Sequence, residues 1–172
     1  DLTGQPFHEV AAQYIIQPLD LKRTSFENPL PASRGNIAKA HDAKGTPTAL
    51  PRGYQSMPEN AASGLWTTPS ELLIILAAVM EAHQTENQSF LTEALVEDMI
   101  TPEKESIHGL GPRIFPREND IMVSHGGAND SYRAIFSVFW KQQTGYIIFT
   151  NGRNGSKLIN ELAPMLEIYV NQ

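Results

Sequence analysis

Val123-Ser124-His125-Gly126-Gly127-Ala128-Asn129-Asp130-Ser131-Tyr132 is the stretch on which the reading of this sequence turns. An apolar run from Asp120 to Ser124 delivers one histidine into two glycines, and a second run, Tyr132 to Trp140, follows almost at once. Paired glycines at the end of a strand leave the main chain without side-chain cover, so a ligand can come close to its N–H groups. The pattern is that of a strand that lines a site.

The flanking segments also read as sheet. Tyr132 to Trp140 and Tyr146 to Thr150 are rich in aromatic and β-branched residues, and Lys141-Gln142-Gln143-Thr144-Gly145 joins them as a hairpin-length connector containing glycine. With Asp120 to Ser124 they predict a three-stranded antiparallel meander. Asn151-Gly152-Arg153-Asn154-Gly155 then turns the chain into a closing helix whose face carries Leu158, Ile159, Leu162, Leu166 and Tyr169. Pro164 should bend that helix or leave one hydrogen bond unmade.

Residues 1–119 read as a helical and loop region. Phe7, Val10, Ala11, Tyr14 and Ile15 recur at helical spacing between Pro6 and Gln17, and Pro18 ends the run. Asp20 to Ser63 is rich in Pro, Gly, Asn and Ser and lacks periodicity, which predicts mostly loop. Thr68, Pro69 and Glu71 open the clearest helix as N-cap, first residue and capping-box partner, with Leu72, Leu73, Leu76, Ala77 and Met80 as its buried face. A shorter helix runs from about Thr92 to Ile100 and stops at Thr101-Pro102. Helices, then a meander, then a helix make an α+β arrangement in one domain. A sheet with an open edge exposes unpaired main-chain groups, so further strands are expected from sequence beyond this chain.

Composition narrows the function classes. The chain has 172 residues, 41% of them hydrophobic, and a formal charge of −6. Its thirteen Lys and Arg residues form no block or stripe, which argues against nucleic acid as a partner. The absence of cysteine excludes disulfides, thiolate catalysis and Cys-ligated metals. The longest apolar run, Leu72 to Met80, falls well short of the roughly 20 residues of a membrane span. The opening Asp1-Leu2-Thr3-Gly4, without an initiator Met, reads as a cut or processed start.

None of the eleven serines has a lysine three positions on, the spacing that sets a nucleophile one helical turn from its base. Ser124 adjoins His125, but neighbours in a strand point to opposite faces and cannot act on each other. Tyr169-Val170-Asn171 has a Tyr-x-Asn spacing, which two fixed positions produce easily by chance. His8, His41, His83 and His108 show no metal spacing and read as surface or capping residues. His125 stands apart through its glycines, with a structural role as the alternative.

Taken in order, Thr3-Gly4-Gln5-Pro6-Phe7, Pro18 to Phe26, Ala62 to Leu72, Gly109-Leu110-Gly111, His125-Gly126-Gly127 and Thr150-Asn151-Gly152 resemble successive landmarks of the serine β-lactamase-related hydrolases. That family includes class C β-lactamases, penicillin-binding proteins of the D-Ala-D-Ala carboxypeptidase type, and esterases. The resemblance covers nearly the whole chain and implies the C-terminal part of a β-lactamase/transpeptidase-like fold. Members use S-x-x-K, then Tyr-x-Asn, then a strand motif of Lys-Thr-Gly or His-x-Gly type, and His125-Gly126-Gly127 resembles the third. The first two elements lie upstream of the Thr3–Phe7 landmark in the family, so the chain is expected to lack the nucleophile, its lysine and the tyrosine.

The resemblance further implies a role for each residue of the motif. The N–H of Ala128 becomes an oxyanion donor, His125 faces the substrate carboxylate or the catalytic tyrosine, and Gly126, Gly127 and Asn129 border the substrate. Asp130-Ser131 depart from the family pattern, where a glycine commonly precedes the aromatic residue. The implied ligand is a small-molecule or peptide substrate. No cofactor is called for, and an N-terminal half of the same protein would be a companion if the protein is nicked. The resemblance carries an expectation of export or a periplasmic location. A non-catalytic binding or structural module of the same fold is the alternative.

Overall fold

The computed structural model describes residues 3–84 and 91–170. Its centre is a four-stranded antiparallel sheet in the order β1-β2-β3-β4, comprising Arg113–Pro116, Ile121–Ala128, Arg133–Phe139 and Thr144–Thr150. The expected three-stranded meander is therefore corrected by one strand. β1 is four residues long and ends in proline, too short to show a period, and its pairing with β2 specifies it. The connector between β3 and β4 also differs from expectation. Gly145 lies within β4 opposite Val138, and Gln143 takes the left-handed turn conformation at φ 56°. Asp120 closes this end of the sheet: its carboxylate accepts from the N–H groups of Ile121 (2.7 Å), Lys141 (2.8 Å) and Gln142 (3.2 Å).

Helices cover both faces. α3 (Pro69–Gln84) and α4 (Glu93–Ile100) pack on one face, where Met80, Ala82, Val96 and Ile100 meet Ile114, Val123, Val138 and Trp140 to form the main core. α5 (Gly155–Val170) packs against β4 on the opposite side and buries Ile159. Thr92 caps α4 by accepting from Leu95 N–H at 3.2 Å, and Thr68 caps α3 by accepting from Glu71 N–H at 3.2 Å.

Several details depart from the helical reading. The first helix is α-helical only from Phe7 to Ala11 (α1) and continues as a π-helical turn through Ile16. Leu73 is 59% exposed and Ala77 is exposed, so the buried side of α3 is narrower than the apolar pattern. Leu158 and Tyr169 of α5 are likewise 48% and 73% exposed.

The Glu71 carboxylate does not complete a capping box. It accepts from the N–H groups of Lys22 (2.7 Å) and Arg23 (2.8 Å) and from the Thr24 hydroxyl (2.5 Å), tying residues 22–24 to the start of α3. The remainder of residues 20–66 is mostly loop, with a 3-10 turn at Ala32–Arg34 and a short helix α2 at Asn60–Ser63.

Candidate active-site strand

The strand β2 outlasts its neighbour β1. Pairing with β1 stops at Arg113↔Ser124, whereas pairing with β3 continues to Ala128↔Arg133. Residues 125–128 therefore have β3 on one side and an open edge on the other.

Alternation decides which groups face that edge. At one end of the β2–β3 ladder Trp140 N–H donates to Ile121 O at 3.0 Å, and at the other Asn129 N–H donates to Tyr132 O at 3.2 Å. Both bonds belong to odd-numbered residues, Ile121 at the start of β2 and Asn129 just past its end. In an antiparallel ladder the intervening residues turn their N–H and C=O away from that partner. Gly126 and Ala128 thus direct their main-chain N–H and C=O toward the open edge.

Side chains alternate in the other direction. Val123 points into the α3/α4 core, so His125 and Gly127 share that face, and Ser124, Gly126 and Ala128 share the face bearing α5. His125, Gly126, Gly127 and Ala128 are all exposed. A Cβ added at Gly127 would meet nothing within 4 Å, whereas one at Gly126 would lie 3.2 Å from Ala134 O. The face above Gly127 is open space beside an imidazole.

Ser124 is buried and fully engaged. Its hydroxyl donates to Phe136 O at 2.8 Å and lies 3.0 Å from Ser137 Oγ, so it has no access to His125.

The end of β2 is fastened by Asn129, which is half-buried. Its Oδ1 accepts from the N–H groups of Ser131 (3.1 Å) and Tyr132 (2.9 Å), and its main-chain O accepts from the Arg133 guanidinium. Asp130 and Ser131 form the tip of this turn, and neither has a positive φ, so the departure from a glycine at this place carries no backbone strain.

Behind the tip, Tyr54, Trp66 and Tyr132 pack edge to face with centroids 5.0 and 5.7 Å apart. Burial, with a further push from Tyr54, raises the Tyr132 phenol to about 12. It therefore stays protonated and donates to Ala38 O at 2.7 Å. The loop beyond Ala38 is clipped to the residues after β4: His41 N–H donates to Asn151 O at 3.0 Å, and Asn154 Nδ2 donates to Ala43 O at 2.7 Å.

Sequence reading did not anticipate this aromatic stack or the loop clip. The partners lie up to 111 residues apart and share no periodic signal.

A cavity of about 570 Å³ lies elsewhere, between α3 and β4, lined by residues including Leu73, Leu76, Met80 and Ile147. Glu81 is the one acidic side chain in its lining, which contains none of residues 125–128. Among the described residues no cluster of His, Asp or Glu could hold a metal, and no helix is long and apolar enough to cross a membrane. Asn171 of the Tyr-x-Asn spacing lies outside the described residues.

The sequence model of the family described as Beta-lactamase matches residues 1–165. The chain belongs to the beta-lactamase family.

Solved structures share its fold. The D-amino acid amidase from Ochrobactrum anthropi SV3, complexed with D-phenylalanine, is 18% identical with a TM-score of 0.70, over 97% of this chain and 56% of its own. The beta-lactamase/D-alanine carboxypeptidase from Pseudomonas syringae is 14% identical with a TM-score of 0.70, over 88% and 50%. The octameric penicillin-binding protein homologue from Pyrococcus abyssi is 19% identical with a TM-score of 0.66, over 88% and 35%. This beta-lactamase-family chain thus spans between about a third and just over half of the length of these proteins. No curated protein matches it in sequence.

Proposed function

We propose that this chain is part of a serine hydrolase that acts through an acyl-enzyme on amide or ester bonds, and that β2 is its oxyanion and substrate strand. The observation that carries the reading is the open edge at residues 125–128, toward which Ala128 directs its N–H. In acyl transfer a main-chain N–H held at a fixed place stabilises the developing oxyanion without reorganising. Ala128 N–H is the donor, and Gly126 C=O and N–H pair with the main chain of a small-molecule or peptide substrate laid along the edge. The open face above Gly127 admits the substrate, and His125 beside it meets the substrate carboxylate or a catalytic tyrosine. Asn129 borders the substrate and acts chiefly by fixing the turn that ends the strand.

The nucleophile, its lysine and the tyrosine come from sequence outside these 172 residues, whether in one continuous polypeptide or in a companion half. Two observations support this: the missing S-x-x-K spacing, and the part-length match to full-size members of the fold. A fluorescent penicillin or fluorophosphonate is expected to leave the chain by itself unlabelled, and covalent labelling of these residues alone would overturn the division of labour. Native mass spectrometry tests for a companion polypeptide. A periplasmic or exported setting is the one that the family resemblance implies.

The missing nucleophile also favours a second reading, a binding module that keeps the strand and has no chemistry. The coding sequence upstream of Thr3 separates the two. S-x-x-K followed by Tyr-x-Asn supports the enzyme, and their absence supports the module.

A further inference from the structure

Away from the motif strand, one histidine joins three elements. His83, at the end of α3, receives a hydrogen bond at Nδ1 from the Trp140 indole N–H at 3.1 Å, and its Nε2 lies 2.9 Å from Glu97 Oε2 on α4. The imidazole and indole rings meet edge to face at 5.7 Å. Trp140 is buried, opens the turn that follows β3, and belongs to the same core as Met80, Ala82 and Val96.

The chemistry of these groups fixes the proton. An indole N–H only donates, so Nδ1 must carry a lone pair. The ring is then neutral, with its hydrogen on Nε2 donated to Glu97. A second proton would put N–H against N–H at Trp140 while adding charge attraction at Glu97.

We propose that His83 is an acid-opened clasp: protonation at Nδ1 releases Trp140 and the sheet from α3, while the bond from α3 to α4 holds or tightens. The helical layer that His83 clasps covers the same face of the sheet that bears His125.

The surroundings allow the two bonds to be treated separately. Among the described residues, Glu97 is the charged group that faces the ring from α4, and its other oxygen accepts from the Thr101 hydroxyl at 3.4 Å. From the sheet the ring meets the uncharged indole. The N–H groups of Lys141 and Gln142, which follow Trp140, are turned to Asp120. On α3, Glu81 lies two positions back, and Gln84 is engaged with Gln143 at 2.7 Å. No other histidine takes part.

The test follows the Trp140 indole N–H by NMR in the 172-residue chain. Its resonance is assigned with Trp66→Phe, because the protein has two tryptophans. Exchange protection, corrected for the intrinsic rate at each pH, is expected to fall by about tenfold between about pH 8 and about pH 5. In His83→Gln, protection should be the same at both values. Nitrogen-15 shifts of His83 in the unsubstituted chain give a second measurement, with Nδ1 bare of hydrogen at the higher pH. A proton on Nδ1 at about pH 8, constant protection in the unsubstituted chain, or an equal fall in His83→Gln each overturns the proposal.

Discussion

Ala128 and Gly127 sit side by side on β2, and their main-chain groups have opposite duties. Ala128 N–H faces the open edge and takes no part in the β2–β3 ladder, so Ala128→Pro removes a donor without breaking that ladder. In an active enzyme containing this segment it should lower kcat by about 10²- to 10³-fold while the unfolding midpoint changes little, checked by steady-state kinetics beside urea titration. Gly127→Ala has room for its methyl group and should leave stability unchanged or slightly raised, yet weaken substrate binding by filling the face beside His125.

Beneath them, Ser124 and Ser137 are both buried and bonded to each other. Ser124→Ala leaves the buried Ser137 hydroxyl without the Ser124 Oγ it meets and should cost about 1–3 kcal/mol in urea unfolding. Because the two share one network, the double variant Ser124→Ala/Ser137→Ala should cost less than the sum of the singles.

The motif residues were legible one by one, since a histidine before paired glycines is a local pattern. The free direction of Ala128 N–H was not. It depends on where β1 stops, which is a property of the pairing.

At the scale of elements, the junction of residues 22–24 with α3 depends on Glu71. Burial pushes its carboxyl upward, but the Thr24 hydroxyl and the N–H groups of Arg23 and Lys22 outweigh burial and hold it below the usual 4.5. A lowered folded pKa means that this stabilisation is present above about 4.5, the unfolded value, and is lost as pH falls through the lower folded value. The unsubstituted chain should therefore lose more of its Tm between pH 7 and pH 3.5 than Glu71→Gln does, read by circular dichroism at about those two pH values. Equal losses would remove Glu71 from the junction.

The capping-box pattern placed Glu71 correctly at the head of α3 but not its side chain. Three donors from a loop some fifty residues away outcompete one orphaned N–H in its own first turn. β1 was missed for a related reason. Four residues ending in proline carry little strand signal of their own, and the neighbouring β2 holds them extended.

Across the whole molecule, the two edges of the sheet differ. β1 is short and ends in proline, whereas β4, Thr144-Gly145-Tyr146-Ile147-Ile148-Phe149-Thr150, has neither charge nor proline. Such an edge is a template for pairing, and exposed Leu158, Met165, Ile168 and Tyr169 on α5 lie in the same half of the structure. The chain alone should self-associate as its concentration rises, and Ile147→Lys should shift it toward monomer in light scattering after gel filtration. A monomeric parent chain would show that the edge is blunted in some other way.

Local pattern in the sequence was enough to determine the α+β class, α3 and α4, three of the four strands, the motif His125-Gly126-Gly127 and the absence of an S-x-x-K nucleophile. These depend on periodicity, capping residues and short spacings, which neighbouring residues set among themselves. Only the tertiary structure decided that the pairing of β1 with β2 stops at Ser124, leaving Ala128 with a free N–H. The Tyr54, Trp66 and Tyr132 stack behind the turn, and the placing of His83 between Trp140 and Glu97, were decided at the same level. Each joins residues far apart in the chain, and such contacts exist only once packing has brought their elements together.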